Sequence, residues 1–161
     1  MSTQKLRLQF EPVLRRLLHV YWRFARGMTL GVRAVVLDSE NRVFLVKHSY
    51  VSGWHLPGGG VETGETVLSS LGRELIEEGR IEVTGAPVLH GVFFNRRASP
   101  RDHVAVYVVR EFVQDRMPEP NREIIACGFF STGDLPPETT RGTRQRIAEV
   151  LENRPLTEDW A

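Results

Sequence analysis

Cysteine is almost absent from this sequence of 161 residues, which holds Cys127 and no other. A lone cysteine excludes an internal disulfide framework and a zinc site built from several cysteines. Cys127 stands in the apolar run IIACGFF, where a small core residue is expected. An excess of one charge is missing as well, since the formal net charge is +1. That balance argues against a protein whose main task is broad contact with nucleic-acid phosphates, so no stable nucleic-acid partner is expected.

A long uninterrupted apolar run is missing too. Arginines break up the apolar residues of EPVLRRLLHVYWRFARG, so neither a signal peptide nor a membrane span is expected, and cytoplasmic residence is the default. Apolar residues of this segment recur at helical spacing, with arginines on the other side. We therefore expect residues 1–28 to form an amphipathic helix that packs on the domain or at an interface. Such a helix is compatible with a homodimer, and docking on a membrane surface is the less favoured alternative.

The apolar content of 41% is enough for one compact domain. The runs TLGVRAVVLD and VFLVKH flank the turn SENR and predict a hairpin. More strands are predicted at PVLHGVFFN, HVAVYVVREFV and IIACGFF. A terminal helix, opened by Pro137 and a Thr or Glu near its N-cap, is predicted at PPETTRGTRQRIAEVLEN. This order predicts a mixed β-sheet between helices, with a domain over residues 29–154 and a C-terminal tail over residues 155–161.

The segment from Thr66 to Glu78 is predicted to be a helix with two unlike faces. Glu74, Glu77 and Glu78 are three or four positions apart, so their carboxylates project from one face. Leucines on another face would pack on the sheet, where Gly72 would allow a close approach. Clustered carboxylates repel one another unless a hard cation such as Mg²⁺ or Mn²⁺ compensates them. The alternative is a solvated charged face without a ligand.

A glycine-rich turn, PGGGVETGE, precedes this helix. Its proline and glycines predict a tight, irregular turn that brings backbone close to whatever the glutamates hold. Glu62 and Glu65 add acidic groups from the turn itself. A glycine-rich loop alone is a weak signal for phosphate binding, and the absence of GKS or GKT excludes a P-loop.

Turn and helix together carry a fixed pattern of residues: Gly59, Glu65, Arg73, Glu74, Leu75, Glu77, Glu78 and Ile81. This pattern resembles the Nudix box, and the flanking sequence from about Thr29 to Ala148 is similar to that family. The resemblance implies an α/β/α sandwich around a mixed β-sheet. It also implies a pyrophosphohydrolase that needs a divalent metal ion, Mg²⁺ with Mn²⁺ as the alternative. The substrate would be a small nucleoside diphosphate derivative, cleaved by water attack at phosphorus.

The resemblance further assigns roles to single residues. The metal ligands that it implies are Glu74, Glu77, Glu78 and the backbone carbonyl of Gly58 or Gly59. Arg73 would orient the glutamates, and Glu65 would support Arg73. The general base differs among family members, so Glu74, Glu78 and Glu123 in PNREII are all candidates. Glu123 is equally well explained as a surface residue that opens a strand.

One position departs from the family pattern, because Arg80 stands where the family usually has glycine, with Gly79 one place early. Either the helix ends one residue sooner, or Arg80 adopts a mildly strained turn. No carboxylate is lost, so hydrolytic competence is expected to survive. The intact glutamates also disfavour the alternative function, a nucleotide-sensing or partner-binding module without turnover.

The choice of substrate is expected to depend on residues outside the box. In HGVFFNRRASPRDH, Phe93 or Phe94 could stack on a base, although the aromatic residues fit a sheet core better. Arg96, Arg97 or Arg101 could hold phosphates or a terminal group. The turn reads PGGG rather than PQGG, which argues against the RNA 5′-pyrophosphohydrolase type. Nucleotide sugars, nucleoside triphosphates and oxidised nucleotides all remain open.

Overall fold

The structure is a computed structural model that describes residues 18, 21, 22, 25 and 27–161. The four separate residues are helical, but the rest of the amphipathic helix predicted for residues 1–28 lies outside the described residues. Within the part of the chain that is described, no helix combines the length and apolar character needed to cross a membrane.

Seven strands and two α-helices make up the described chain from residue 27 onward. The strands are β1 (Thr29–Val36), β2 (Val43–His48), β3 (Ile81–Val83), β4 (Val88–Phe94), β5 (Asp102–Val109), β6 (Phe112–Gln114) and β7 (Ile124–Phe130). The helices are α1 (Val67–Gly79) and α2 (Arg141–Leu151). Strand β1 runs parallel to β5, and β4 is antiparallel to β5. The pairs β2–β7 and β3–β6 are antiparallel, so the predicted mixture of strand directions is confirmed.

The two faces of β1 bury residues in two different cores. Val32, Ala34 and Val36 pack in a cluster with Leu71 and Leu75 of α1. Val35, together with Leu37 just after β1, packs in a second cluster with Ile147 of α2. Since side chains alternate along a strand, this division places one helix on each side of the sheet. The α/β/α sandwich expected from the sequence is the fold of the protein.

The predicted hairpin between β1 and β2 is wrong. The turn forms, with the Asp38 amide donating to the Arg42 carbonyl, but Leu37 and Val43 make the single bridge beyond it. Strand β2 pairs with β7 instead. The reason is that the glycine turn occupies the free edge of β1, where the amide of Val32 donates to the Gly59 carbonyl at 2.8 Å. Pattern alone cannot show which segment will take a strand edge.

Two further expectations from the sequence need correction. Pro137 does not open the terminal helix, because α2 begins at Arg141. The threonine expected near the N-cap is confirmed, since the hydroxyl of Thr140 accepts from the Thr143 amide. Gly72 does not mediate a close approach, since a Cβ built there meets nothing within 4 Å. The close approach belongs to Gly79, where a Cβ would lie 3.0 Å from Cε1 of Phe44.

Helix α1 does not end early at its unusual C-terminus. It runs through Gly79, and Arg80 follows in the left-handed conformation with φ 52° and ψ 32°. The second of the two alternatives for Arg80 is therefore confirmed, and an early end of the helix is wrong. The Arg80 side chain forms an exposed salt bridge with Asp115 that raises the pKa of the guanidinium. A position that favours glycine is thus held by arginine, with an ion pair as partial compensation.

Arg80→Gly is expected to be more stable than Arg80→Ala by about 1 kcal/mol, because only alanine keeps a Cβ in the left-handed conformation. Both substitutions remove the salt bridge with Asp115, so the comparison isolates the backbone effect. Urea denaturation of the two variants measures the difference. Equal free energies of unfolding would show that Arg80 carries no conformational strain.

Candidate active site

The glycine turn and helix α1 meet beside β1. The amide of Ala34 donates to the Pro57 carbonyl at 3.0 Å, which extends the pairing of the turn with the strand. Gly58 has φ 134°, a conformation that side chains disfavour, and a Cβ there would lie 2.9 Å from Cα of Arg33. The turn is therefore fixed against β1 by its backbone and leaves its other side open to the helix.

Glu78 is buried at the centre of this junction, with 6% of its surface exposed. The amide of Gly58 donates to Oε2 of Glu78 at 2.7 Å. Burial raises the pKa of Glu78 to about 7, even though this hydrogen bond and the charge of Arg33 act in the opposite direction. A buried carboxylate of this kind binds a proton or a cation readily.

Glu74 lies against the next residue of the turn. A Cβ built on Gly59 would fall 2.5 Å from Cδ of Glu74, so a side chain there would fill the space of the carboxylate. Nη1 of Arg73 donates to Oε1 of Glu74 at 2.8 Å. The structure thus brings Glu74, Glu78 and the backbone of Gly58 and Gly59 together, and their role as metal ligands stays a prediction.

Glu77 lies at the rim, with 60% of its side chain exposed and an oxygen 3.5 Å from Nη1 of Arg73. Among the described residues, no three acidic, histidine or cysteine side chains stand close enough together to hold an ion. Ligation by all three glutamates would require the Glu77 side chain to turn toward Glu74 and Glu78. Its assignment as a ligand stays a prediction.

Arg73 ties the turn to the helix through Glu65. Nε and Nη2 of Arg73 donate to the two Glu65 oxygens at 3.0 and 3.1 Å, a bidentate pair. These bonds, and then the bond to Glu74, raise the pKa of the Arg73 guanidinium, while Arg73 lowers the pKa of Glu65. Nη2 also donates to the Gly60 carbonyl at 3.3 Å. The arginine thus contacts both Glu65 and Glu74, and its role in orienting the glutamates stays a prediction.

Glu123 lies in the same cleft as Glu74 and Glu78, a cavity of about 630 Å³. The Tyr50 hydroxyl donates to Oε1 of Glu123 at 3.4 Å. The charge of Glu123 contributes to the raised pKa of Glu78, although less than burial does. This candidate base from a distant loop therefore faces the glutamates of the helix across open space.

The substrate residues suggested by the sequence lie outside the lining of that cleft. The Phe94 ring stacks on His103 with 5.2 Å between centroids, and the Arg96 guanidinium lies 5.3 Å from the centre of the Phe94 ring. Arg97 is exposed on the connection between β4 and β5. Strand alternation explains this placement, because Phe93 points into the core and Phe94 to the opposite side. Their role in substrate binding stays a prediction.

Sequence reasoning missed Arg33, which lines the cleft beside Gly58 and Glu78. Its Nη1 donates to the Leu56 carbonyl at 3.0 Å, and its charge lowers the pKa of Glu78 and of His48. The signal was present, since Arg33 is a charge inside the otherwise apolar strand TLGVRAVV. A cation at such a position suits an anionic substrate.

The sequence favours a structural or substrate-lining role for His48 over metal ligation, and in the structure its Nε2 lies 3.5 Å from Oε1 of Glu78. Both ring nitrogens are buried without a hydrogen-bond partner among the described residues. Burial lowers the pKa of His48 to about 4, so the ring is neutral near pH 7 and the contact is not an ion pair. His48 therefore contributes bulk and low polarity beside Glu78 rather than charge.

The chain resembles known proteins over most of its length. The family profile of the NUDIX domain matches residues 27–151. The crystal structure of a MutT NUDIX hydrolase from Burkholderia pseudomallei is 28% identical, with a TM-score of 0.66 over 77% of this chain and 98% of that chain. An ADP-ribose pyrophosphatase from Streptococcus suis is similar in fold, at 24% identity and a TM-score of 0.59 over 81% of this chain and 96% of that chain.

A curated relative is similar over a shorter stretch. An RNA pyrophosphohydrolase from Francisella tularensis subsp. mediasiatica (strain FSC147) is 44% identical over 52 residues, which is 32% of this chain and 34% of that protein. The chain thus spans about a third of the length of the curated relatives that it matches. The curated relative is named as an RNA pyrophosphohydrolase, which is the class that the PGGG turn of this chain argues against. That argument stays a prediction.

Proposed function

The chain belongs to the NUDIX family, and from this premise we propose that it hydrolyses a diphosphate linkage in a nucleoside diphosphate derivative. The observation that carries the proposal is the buried Glu78, held by the Gly58 amide at 2.7 Å in a cleft that also contains Glu74 and Arg33. Burying a carboxylate without a cation costs free energy, so a fold that retains one there has a use for it.

A divalent cation fits the residues of this cleft. The donors are all oxygens, which Mg²⁺ and Mn²⁺ prefer, and the Glu74 carboxylate occupies space that any side chain on Gly59 would take. Glu74, Glu78 and a carbonyl of Gly58 or Gly59 would hold the ion, with Glu77 reaching in from the rim. When bound, such an ion neutralises charge on the phosphates and lowers the pKa of a water molecule.

The chain's own groups would then divide the remaining work. Arg33 would bind a phosphate oxygen, because its guanidinium is fixed by the Leu56 carbonyl within the cleft. Arg73 would keep Glu74 in position through its bonds to Glu65. Glu123 would accept the proton of the attacking water from across the cleft, where Tyr50 orients it. Glu74 and Glu78 remain competing candidates for that base.

A substrate panel tests the proposal. It contains nucleotide sugars, nucleoside triphosphates, an oxidised nucleotide, ADP-ribose and a 5′-triphosphorylated RNA. Each is incubated with Mg²⁺, with Mn²⁺ or with a chelator, and phosphate is read after coupled phosphatase treatment. Turnover that needs the metal is expected on at least one compound. Glu82→Gln, an exposed glutamate on β3, is the matched control and should retain wild-type activity. A folded protein that cleaves none of these compounds with either metal would overturn the proposal.

A further inference from the structure

A row of polar side chains crosses three strand ends at one end of the cleft. Thr29 begins β1, Asp102 begins β5, and Asn95 follows β4. The Thr29 hydroxyl donates to Oδ1 of Asp102 at 2.6 Å, and Nδ2 of Asn95 donates to Oδ2 at 2.8 Å. All three residues line the cleft that holds Glu74 and Glu78. The two hydrogen bonds fix the carboxylate from both sides.

The row of polar side chains lies at a fixed distance from Arg33, the residue proposed to bind a phosphate oxygen. Thr29, Gly31 and Arg33 alternate along β1 and therefore share one face of the strand. Four residues of extended chain separate Thr29 from Arg33 by about 13 Å. Between them, Gly31 and its cross-strand partner Val104 give a flat, apolar floor. A substrate whose phosphates meet Arg33 would place the group that they carry over this floor and against the row.

The C-terminal tail closes this end of the cleft. The Phe94 amide donates to the Glu158 carbonyl at 2.8 Å, and the Trp160 amide donates to the Phe94 carbonyl at 2.9 Å. The tail is thus added to the end of β4, and Trp160 joins the lining of the cleft. Its indole packs on Gly142 of α2, where a Cβ would come within 2.8 Å of Cε2.

A buried arginine holds the tail in this position. Arg146 of α2 has no exposed surface, and its Nη2 donates to Oε1 of Glu149 at 2.6 Å and to the Thr157 hydroxyl at 2.8 Å. Its Nη1 donates to the Asp159 carbonyl at 3.2 Å, and the guanidinium lies 3.8 Å from the centre of the Phe93 ring. Burying the charge of Arg146 costs free energy unless all these partners are present. We therefore expect the tail that it anchors to have a function.

We infer that Thr29, Asp102, Asn95 and Trp160 form the subsite for the uncharged group that the diphosphate carries. The inference rests on the proposed function. The carboxylate of Asp102 keeps a free lone pair on each oxygen after receiving its two hydrogen bonds, so the row presents mainly acceptors. It would take a group with two neighbouring donors, either paired sugar hydroxyls or the N–H edge of guanine. Trp160 would cover the apolar face of that group.

Binding to the metal-free full-length protein tests the subsite separately from turnover. The probes for calorimetry are guanosine monophosphate, 2′-deoxyguanosine monophosphate and inosine monophosphate. Asp102→Asn keeps the shape of the side chain and replaces an acceptor with a donor, so Kd is expected to rise about tenfold for the preferred probe. Weaker binding of the 2′-deoxy probe would identify sugar hydroxyls, and weaker binding of the inosine probe would identify the guanine edge.

Gly142→Ala tests the contribution of Trp160 to the subsite by changing a residue that does not line the cleft. The added methyl would displace the Trp160 indole. It is expected to weaken probe binding severalfold and to raise KM more than it lowers kcat. Gly72→Ala is the matched control, since its helix position has open space for a methyl and it should bind as the wild type does. Trp160→Phe should restore part of the binding that Trp160→Ala loses.

The outcomes separate this inference from the proposed function. A wild type that turns over substrate while Asp102→Asn and Gly142→Ala bind and react like Gly72→Ala would overturn the subsite and leave the hydrolase standing. A wild type that binds a probe through Asp102 but cleaves nothing would retain the subsite and refute the hydrolase. Failure of all three probes to bind the wild type at millimolar concentration would also overturn the subsite.

Discussion

Glu78→Gln is expected to lower kcat by about 10³-fold, because glutamine keeps the hydrogen bond from Gly58 but brings no negative charge to the cleft. The effect is large because Glu78 is the most deeply buried of the glutamates Glu74, Glu77 and Glu78 on helix α1, so no other carboxylate can take its position. Steady-state kinetics on the best substrate of the panel measures it, with Glu82→Gln as the control. Turnover equal to that of the control would show that the active site lies elsewhere.

The same substitution should change the pH dependence of stability without metal. The carboxyl of Glu78 has a pKa of about 7 in the fold against an ordinary value of 4.5. Between these values the folded state binds more protons than the unfolded state, so this group makes stability fall as pH rises. The variant should therefore gain stability relative to the wild type over this range, by about 3 kcal/mol at most.

The measurement has to be a difference between two proteins, because His48 and His55 titrate in the opposite sense. Burial lowers the pKa of both rings, which makes stability rise with pH as each loses its proton. Urea denaturation in chelator at pH 5 and pH 8, for wild type and variant, gives the difference directly. A constant difference at the two pH values would mean that Glu78 ionises normally in the fold.

Alanine substitutions at two neighbouring glycines are expected to have different effects, one on stability and the other on activity. Gly58→Ala is expected to cost about 3 kcal/mol of stability, because φ is 134° and the methyl would press on the backbone of Val32 and Arg33. For a chain of this length that loss lowers Tm by about 10 °C. Gly59→Ala would press on the Glu74 carboxylate, the far end of a flexible side chain that can move aside.

Gly59→Ala should therefore fold almost normally and lose about 10²-fold in kcat, since a shift of about 1 Å in a positioned group has an effect of that size. Thermal melts and kinetics on both variants separate the two outcomes. Gly60→Ala is the matched control, because nothing lies within 4 Å of a Cβ there. Normal activity in Gly59→Ala would remove Glu74 from the reaction, and a normal melt for Gly58→Ala would contradict the strained turn.

Local signals in the sequence predicted local structure well. Helix α1 was expected over Thr66 to Glu78 and spans Val67–Gly79, because its N-cap and its apolar spacing are both encoded within the segment. The acidic end of the cleft followed from the same segment, since Glu74, Glu78 and the glycines beside them lie in the helix and the adjoining turn, whereas most other lining residues come from distant segments. Glu123 was predictable only as a candidate, and its place opposite Glu78 depends on how β7 packs.

Pairing between distant segments could not be predicted in the same way. The edge of β1 accepts the glycine turn rather than β2, and no periodicity distinguishes these two neighbours. The charge of Arg33 within an apolar strand was visible in the sequence, but its place beside Gly58 and Glu78 depends on the turn that packs against β1. The role of Trp160 was hidden for the same reason, because a tail has no pattern of its own until β4 and α2 hold it.

The hydrogen bonds between the glycine turn and β1 also protect the protein from aggregation through an open strand edge. The amides of Val32 and Ala34 would otherwise form an open edge on a strand rich in valine, the kind of surface on which chains stack into aggregates. A substitution that unfolds the turn would thus make the protein prone to aggregation as well as inactive. The glycine turn that the cleft requires therefore also keeps this strand edge paired.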